Sequence, residues 1–524
     1  MRQPEDMLSA AHVARVALRR IPFAVLVVVF VVVLACLFML VYRYEQTRRG
    51  MGGVSSPGAA YGDTLPPSGR FTSNITYTCL DADGSGEVSA DVLWDDAWFA
   101  GDATVYNHDL ARACSVLSAL AYSESGYYQE GSTQPAYMED ALADLGFDRV
   151  STESYRYRSE IMDQVLNLVT QREDTVAYAI ASKRIDESSE AAGATGGAAS
   201  TRTVILVSIR GSYGSEWLSN FKLIADGGAS ADDSPASSPA ADGDGAQGDA
   251  SSPDVLSLLS GAGAGSTAEA SAQDDSATEE PPSCYASGRA LGHPGYVDAA
   301  GEIIGELKTW VDEAHARGDE VSLVATGHSR GGAVANLVAA AALDSLAATE
   351  QDDASEQGKA DGIADEALLR AGDTAAAYTF AAPASTTSRE ATSERYGGIF
   401  NIINPSDLMP HLPLEEWGYR RYGVDLVLPA LDDASFEQRY EKMCAWYEDA
   451  MGKASSYEPE DARAVAAVTE DIAEHVGSVD DLFTPWGVAE TIAACARHVD
   501  PARILLGHYP SVYIAWMYSL DATW

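Results

Sequence analysis

Residues 321–346, VSLVATGHSRGGAVANLVAAAALDSL, carry the strongest constraint in this chain. An apolar β-type run passes through a glycine-crowded turn directly into an alanine-rich helix former. A strand such as VSLVA has no polar face, so it needs cover on both sides, as in a parallel sheet with helices packed on each face. The same kinds of segment recur along the chain. TVAYAIAS (175–182), TRTVILVSIRG (201–211), AAAYTFAAP (375–383) and GIFNIIN (398–404) read as strands. Apolar spacing marks 109–123, 296–318 and 331–346 as helices. The alternation predicts the α/β class: a mostly parallel central sheet with helices on both faces.

The 524 residues and their apolar content of 46% allow one large domain with insertions or two domains. The net charge of -44 excludes nucleic-acid binding as a natural role, since phosphate contacts need clustered Lys and Arg. Residues 226–282 carry 12 of the 78 acidic residues with no Lys or Arg, and are otherwise mostly Ala, Gly, Ser and Pro around one apolar patch, PDVLSLLSG (253–261). That composition reads as a disordered insertion. After a short N-terminal segment (1–20), the uncharged run 21–42 is long enough to cross a bilayer, which takes about 20 apolar residues. Arginines on both sides, and no small-residue cleavage site after it, favour a transmembrane anchor over a signal peptide. Residues 43–104 then form a tether and N-terminal extension, 105–524 the main domain, and 432–496 a helical insertion within it. The simplest topology is a single-pass membrane protein with the large domain extracytoplasmic.

Two smaller features carry less. LDADGSGEVSAD (80–91) starts like a calcium loop, with Asp81, Asp83, Ser85 and Gly86 at positions one, three, five and six. Position twelve is Val92, where a bidentate Glu belongs, so a polar turn is the better reading. No cysteines have metal-ligand spacing, and helical placement leaves a Cys444–Cys495 pair open.

The turn in the opening segment is Gly327-His328-Ser329-Arg330-Gly331, a G-x-S-x-G between strand and helix. Such a turn exposes a serine as a nucleophile, small neighbours letting the backbone close around it. A serine hydroxyl needs a base, and the base an acid to orient it, in the chain order Ser, acid, His. Asp407, on the Pro-bounded loop of FNIINPSDLMPHLP (400–413), follows a strand directly and is favoured over Asp425, Asp432 and Asp433. Four histidines come later. His411 shares the acid's own loop, and His475 and His498 fall in the helical insertion or at its edge, where a solvated histidine is the default. His508, in a Gly-His turn before an aromatic-rich helix, is favoured as the base. The oxyanion donors expected are the backbone N–H of Arg330 and that of Ser212, in the turn that ends the ILVSIRG strand; the Ser212 hydroxyl can add a third bond.

In combination, SIRGSYGSEWLSNF, HPGYVDAA, GHSRGGAVANL, YTFAAPA and NIINPSDLMPHLP resemble the class 3 lipases, the fungal-lipase-like branch of the α/β-hydrolases. EEWGYRRYG (415–423) is similar to bacterial relatives of that branch. The resemblance implies an α/β-hydrolase fold and an esterase or lipase acting on acylglycerols or related esters. It places Ser329, Asp407 and His508 at the triad positions and Ser212 at the oxyanion position, and implies no metal or organic cofactor. Two departures stand out. Arg330 replaces the usual aliphatic residue, either paired with a carboxylate or facing an anionic substrate group. The acidic insertion falls where these lipases carry a lid, and reads as either a flap or a linker. A thioesterase or peptidase with the same triad, and a catalytically silent binding module, remain as other readings.

Overall fold

The structure is a computed structural model that describes residues 66–81, 84–130, 137–152, 154–155, 176–186, 201–211, 294–354, 367–482, 484–499, 503 and 505–522. The apolar run 21–42, the acidic stretch 226–282 and Ser212 lie outside the described residues.

Strands β1 (Arg70–Asp81) and β2 (Gly84–Asp95) form an antiparallel hairpin. A seven-stranded sheet follows in the spatial order of the chain: β3 (Arg149–Ser151), β4 (Tyr178–Asp186), β5 (Thr201–Ile209), β6 (Glu320–His328), β7 (Thr374–Phe380), β8 (Ile399–Ile403) and β9 (Val424–Val427). The first two pairings are antiparallel, and β5 to β9 are parallel. The five strands read from sequence are all present. The three-residue β3 and the half-exposed β9 are edge strands whose short sequences carry no strand pattern of their own.

Alternation along each central strand feeds two cores, because successive side chains point to opposite faces. On β5, Ile205, Val207 and Ile209 enter one core while Val204 and Leu206 enter the other. Helix α1 (His108–Glu130) covers one face, joined by α2 (Tyr137–Asp144) and the hairpin. Helices α3 (Pro294–Ala316) and α4 (Arg330–Ala354) cover the other. The sheet is thus mostly parallel with helices on both faces, as its apolar strands require.

The hairpin is built into the same body. Ile75, Tyr77, Val88, Val92 and Trp94 are buried in the core under α1. The first carboxylate of the calcium-like run, Asp81, turns inward to accept hydrogen bonds from Tyr447 and Ser511 and to pair with Lys453. Protein donors therefore occupy that carboxylate.

The stretch expected as a helical insertion holds α5 (Phe436–Met451), α6 (Asp461–His475), the single-turn α7 (Val479–Leu482) and α8 (Pro485–His498). The chain closes with α9 (Pro510–Ser519), whose buried residues include Tyr513 and Trp516. A third apolar cluster joins α6 and α8 to Leu408 and Leu414 of the loop after β8. Cys444 and Cys495 are both free thiols.

Candidate active site

Strand β6 ends at His328 and α4 begins at Arg330, so Ser329 alone makes the turn. Its φ of +56° lies in the left-handed region, costly for a residue with a Cβ. The strain is held from both sides. The Ser329 N–H donates to the Phe380 carbonyl on β7 at 2.8 Å, and its own carbonyl accepts from the Ala333 N–H at 3.1 Å. Glycine at two flanking positions permits the closure. A Cβ on Gly327 would stand 2.4 Å from the Gly331 backbone, and one on Gly331 would stand 2.2 Å from the Ile209 carbonyl oxygen. The GxSxG spacing is therefore a packing requirement between β6, the helix start and the end of β5.

Three sequence-predicted residues meet at this turn. His508 Nε2 lies 3.0 Å from Ser329 Oγ, and His508 Nδ1 lies 2.9 Å from Asp407 Oδ2. The arrangement is graded in exposure: the Asp407 side chain is fully buried, and 16% of the His508 side chain remains accessible. A buried carboxylate without donors would be expensive. Among the described residues Asp407 has three: His508 Nδ1–H, the Tyr513 hydroxyl at 2.8 Å to Oδ2, and the Met409 N–H at 2.9 Å to Oδ1. With Nδ1 donating to the carboxylate, Nε2 presents its lone pair to the serine hydroxyl.

The loops bearing these groups are cross-tied. Asn404 receives its place from Tyr513, whose oxygen accepts the Asn404 N–H at 3.1 Å. Its carboxamide in turn donates to the Gly507 carbonyl, one residue before His508, at 2.9 Å. Arg421, in the EEWGYRRYG stretch, donates to the carbonyls of Ala382 and Pro410 and holds Asp425 with two nitrogens. The Asp425 carboxylate is thereby engaged away from His508.

The other candidates stand elsewhere. His411 sits in a 3-10 turn on the acid's loop, with Nε2 buried and without a hydrogen-bond partner among the described residues, and burial lowers its pKa. His475 and His498 are exposed, and both reach Asp471 at 3.1 Å. The His475 contact lies within α6, whereas His498 and Arg497 reach across from α8 and pin it to α6. Arg330 occupies the first position of α4, where a helix N–H lacks a carbonyl partner within its own helix and the macrodipole is positive. Ser212 lies outside the described residues, just past Gly211 at the end of β5.

Sequence reasoning passed over Tyr513, Asn404, Tyr122 and His328. The Tyr122 hydroxyl lies 3.0 Å from His328 Nδ1, and His328 Nε2 lies 2.8 Å from the His508 carbonyl oxygen. Burial and the neighbouring His508 hold His328 well below the usual imidazole range, so it is neutral.

Residues 265–417 match the family described as Lipase (class 3). The matched stretch contains α3, the elbow, α4 and the Asp407 loop. Among curated proteins, none matches the sequence. Solved structures resembling the chain include the native Rhizomucor miehei lipase propeptide complex, at 18% identity over 61% of this chain and 68% of that one, TM-score 0.30. Another is a triacylglycerol lipase in which a serine protease triad forms the catalytic centre, at 16% identity over 63% and 83%, TM-score 0.31. A third is a mutant form of MDLA from Penicillium cyclopium, at 16% identity over 63% and 83%, TM-score 0.29. These likenesses are distant. The family match makes residues 265–417, less than a third of the chain, similar to the class 3 lipases.

Proposed function

We propose that the chain cleaves carboxylic esters of lipids, acylglycerols among them, through an acyl-enzyme on Ser329. The observation that supports this is the single imidazole of His508 bridging Ser329 Oγ and Asp407 Oδ2 within hydrogen-bond distance of both. In the first half-reaction Ser329 Oγ bonds to the ester carbonyl carbon while its proton passes to His508 Nε2. Asp407 holds Nδ1–H and stabilises the imidazolium. The carbonyl oxygen becomes an oxyanion, facing the Arg330 N–H at the positive end of α4 and, from the sequence reading, the N–H of Ser212. The tetrahedral species collapses as His508 returns the proton to the leaving alkoxide. Water then repeats the sequence on the acyl-enzyme and releases the carboxylic acid. We also infer that the apolar run 21–42 anchors the hydrolase to a membrane on its extracytoplasmic side, close to lipid substrates.

The test is covalent labelling by a fluorophosphonate, wild type against Ser329→Ala. Labelling is expected to vanish in the variant; undiminished labelling would refute Ser329 as nucleophile. On p-nitrophenyl esters of increasing acyl length, a lipid substrate predicts kcat/KM rising toward longer chains. A preference for acetate would point to a short-chain esterase instead. Protease digestion on intact cells tests the topology: an extracytoplasmic domain is degraded, a cytoplasmic one is not.

A further inference from the structure

Next to the triad lies a second histidine that the reaction scheme leaves without a task. His328 precedes the nucleophile directly and is buried, yet its ring is not merely packing. Its Nε2 faces the carbonyl oxygen of His508 at 2.8 Å, and a carbonyl can only accept. Nε2 therefore carries the proton. The neutral ring must then present a lone pair at Nδ1, and the Tyr122 hydroxyl, 3.0 Å away, donates to it. One tautomer satisfies both contacts.

The surroundings restrict the ring further. It lies 4.8 Å, centroid to centroid, from the His508 ring, and Tyr513 meets it edge-on at 5.7 Å. Tyr513 is the same residue whose hydroxyl holds Asp407. Tyr122 reaches this point from α1 through a gap that only glycine leaves open. A Cβ on Gly211, at the end of β5, would stand 2.1 Å from the Tyr122 hydroxyl oxygen and 2.6 Å from the His328 carbonyl oxygen. The turn expected to supply the second oxyanion donor thus packs directly on Tyr122.

We propose that Tyr122 and His328 form a positioning clamp for the catalytic histidine, a hydrogen-bonded chain from α1 through the elbow to the His508 backbone. The clamp fixes the loop carrying His508 against the residue next to the nucleophile. The distance between Nε2 of His508 and Ser329 Oγ is then set by two adjacent residues of one rigid strand end. Neutrality of His328 is part of the design, because a positive charge there would oppose the imidazolium that forms on His508. Neither clamp residue takes up or delivers a proton. The inference rests on the proposed reading of Ser329 and His508 as nucleophile and base, and the Ser329→Ala arm of its test separates the failure of that reading from the failure of the clamp.

Full-length protein is compared as wild type, Ser329→Ala, His328→Leu, His328→Gln and Tyr122→Phe, measuring kcat, KM and melting temperature. Glutamine can place an amide N–H where Nε2–H stands; leucine cannot. A displacement of the base by about 1 Å costs on the order of 100-fold. The expected result is a fall in kcat of roughly 10- to 100-fold for His328→Leu with KM within about twofold, and recovery of most of that loss in His328→Gln. If the leucine variant matches wild type in kcat, or glutamine does no better than leucine at equal melting temperature, the clamp is refuted. Should the leucine variant not fold, Tyr122→Phe decides: a kcat reduced several-fold at unchanged KM supports the clamp, and an unchanged kcat overturns it. Turnover that survives in Ser329→Ala would instead remove the underlying reading of the triad.

Discussion

Gly331→Ala and Gly332→Ala are neighbouring substitutions in the first turn of one helix, and the structure separates their consequences. Each gains what alanine gains over glycine inside a helix, about 0.5–1 kcal/mol. What differs is the space. At 331 the new Cβ would stand 2.2 Å from the Ile209 carbonyl oxygen and 2.7 Å from the Arg210 carbonyl carbon, all backbone. Carbon contacts settle near ~3.5 Å, so relief means parting the elbow from the end of β5 by about 1 Å. Overpacking of that kind costs about 1–3 kcal/mol, and only part of it is offset by helix propensity. The functional loss is larger, since about 1 Å between nucleophile and oxyanion turn is worth roughly 100-fold. At 332 the nearest atoms are the Ala382 Cβ at 3.0 Å and two carbonyl oxygens at 3.1 Å, which a shift of a few tenths of an ångström accommodates. The assay is kcat/KM on a p-nitrophenyl ester together with denaturant unfolding of both variants. Gly331→Ala is expected near one hundredth of wild-type kcat/KM, and Gly332→Ala within about tenfold. Equal activities and equal stabilities for the two variants would refute the account of the elbow as a packing requirement.

His508→Ala is expected to abolish ester turnover, whereas His475→Ala and His498→Ala retain it; the reverse ranking in a steady-state assay would refute the base assignment. His475→Ala also carries a pH signature. The hydrogen bond to the Asp471 backbone carbonyl, helped by the Asp471 charge, raises the His475 pKa, so protonated His475 is favoured in the folded state. Its contribution is full below the unfolded value of about 6.5 and fades as pH rises through the folded pKa. Melting temperatures should therefore differ more between wild type and variant at about pH 5.5 than at about pH 8.5; a difference that grows with pH would contradict this. Tyr513→Phe removes one of three donors to a fully buried carboxylate, where a hydrogen bond to a charge is worth about 1.5–3 kcal/mol. Unfolding by urea should register that loss, and a variant as stable as wild type would mean that Asp407 does not depend on Tyr513.

What could be read from the sequence was what is local or fixed by order. The strand, turn and helix around Ser329 occupy consecutive residues, so their pattern is visible without knowing any partner. Asp407 and His508 follow from the order that an elbow demands and from their places beside a strand and a helix. The supporting contacts escaped because they join distant parts of the chain. Tyr122 stands 206 residues from His328, and Tyr513 stands 106 from Asp407. Nothing in the neighbourhood of either tyrosine marks it as different from any buried aromatic. Part of the Asp471 cluster was missed for the same reason: Arg497 and His498 of α8 find their carboxylate on α6, 26 and 27 residues earlier in the chain. The calcium-like run, read as a polar turn for want of a glutamate at position twelve, lies mostly on the strands of the β1–β2 hairpin, and long-range packing assigns Asp81 to Tyr447, Ser511 and Lys453.

The helices between Asp407 and His508 gain a physical role from this geometry. Asp407 and His508 are 101 residues apart in the chain and still meet at 2.9 Å. The intervening segment could have been a slack loop, leaving each catalytic loop to find its own position. Instead its apolar faces are spent on the loops themselves. Val465, Val468 and Ile472 of α6 and Cys495 of α8 are buried with Leu408 and Leu414, which follow Asp407 in the loop after β8, and Leu505 packs on the same cluster three residues before His508. Trp417, at the end of the acid's loop, donates to the Val476 carbonyl just past α6. Asp471 then ties α6 to α8 through Arg497 and His498, so the two helices move as one body. Burying side chains of this size contributes about 1.5–3 kcal/mol each. The cluster therefore ties both loops to one body and limits the separate motion that would break the Asp407–His508 contact. On this argument the insertion acts as a splint across the loops that carry Asp407 and His508, while Ser329 is held by the sheet.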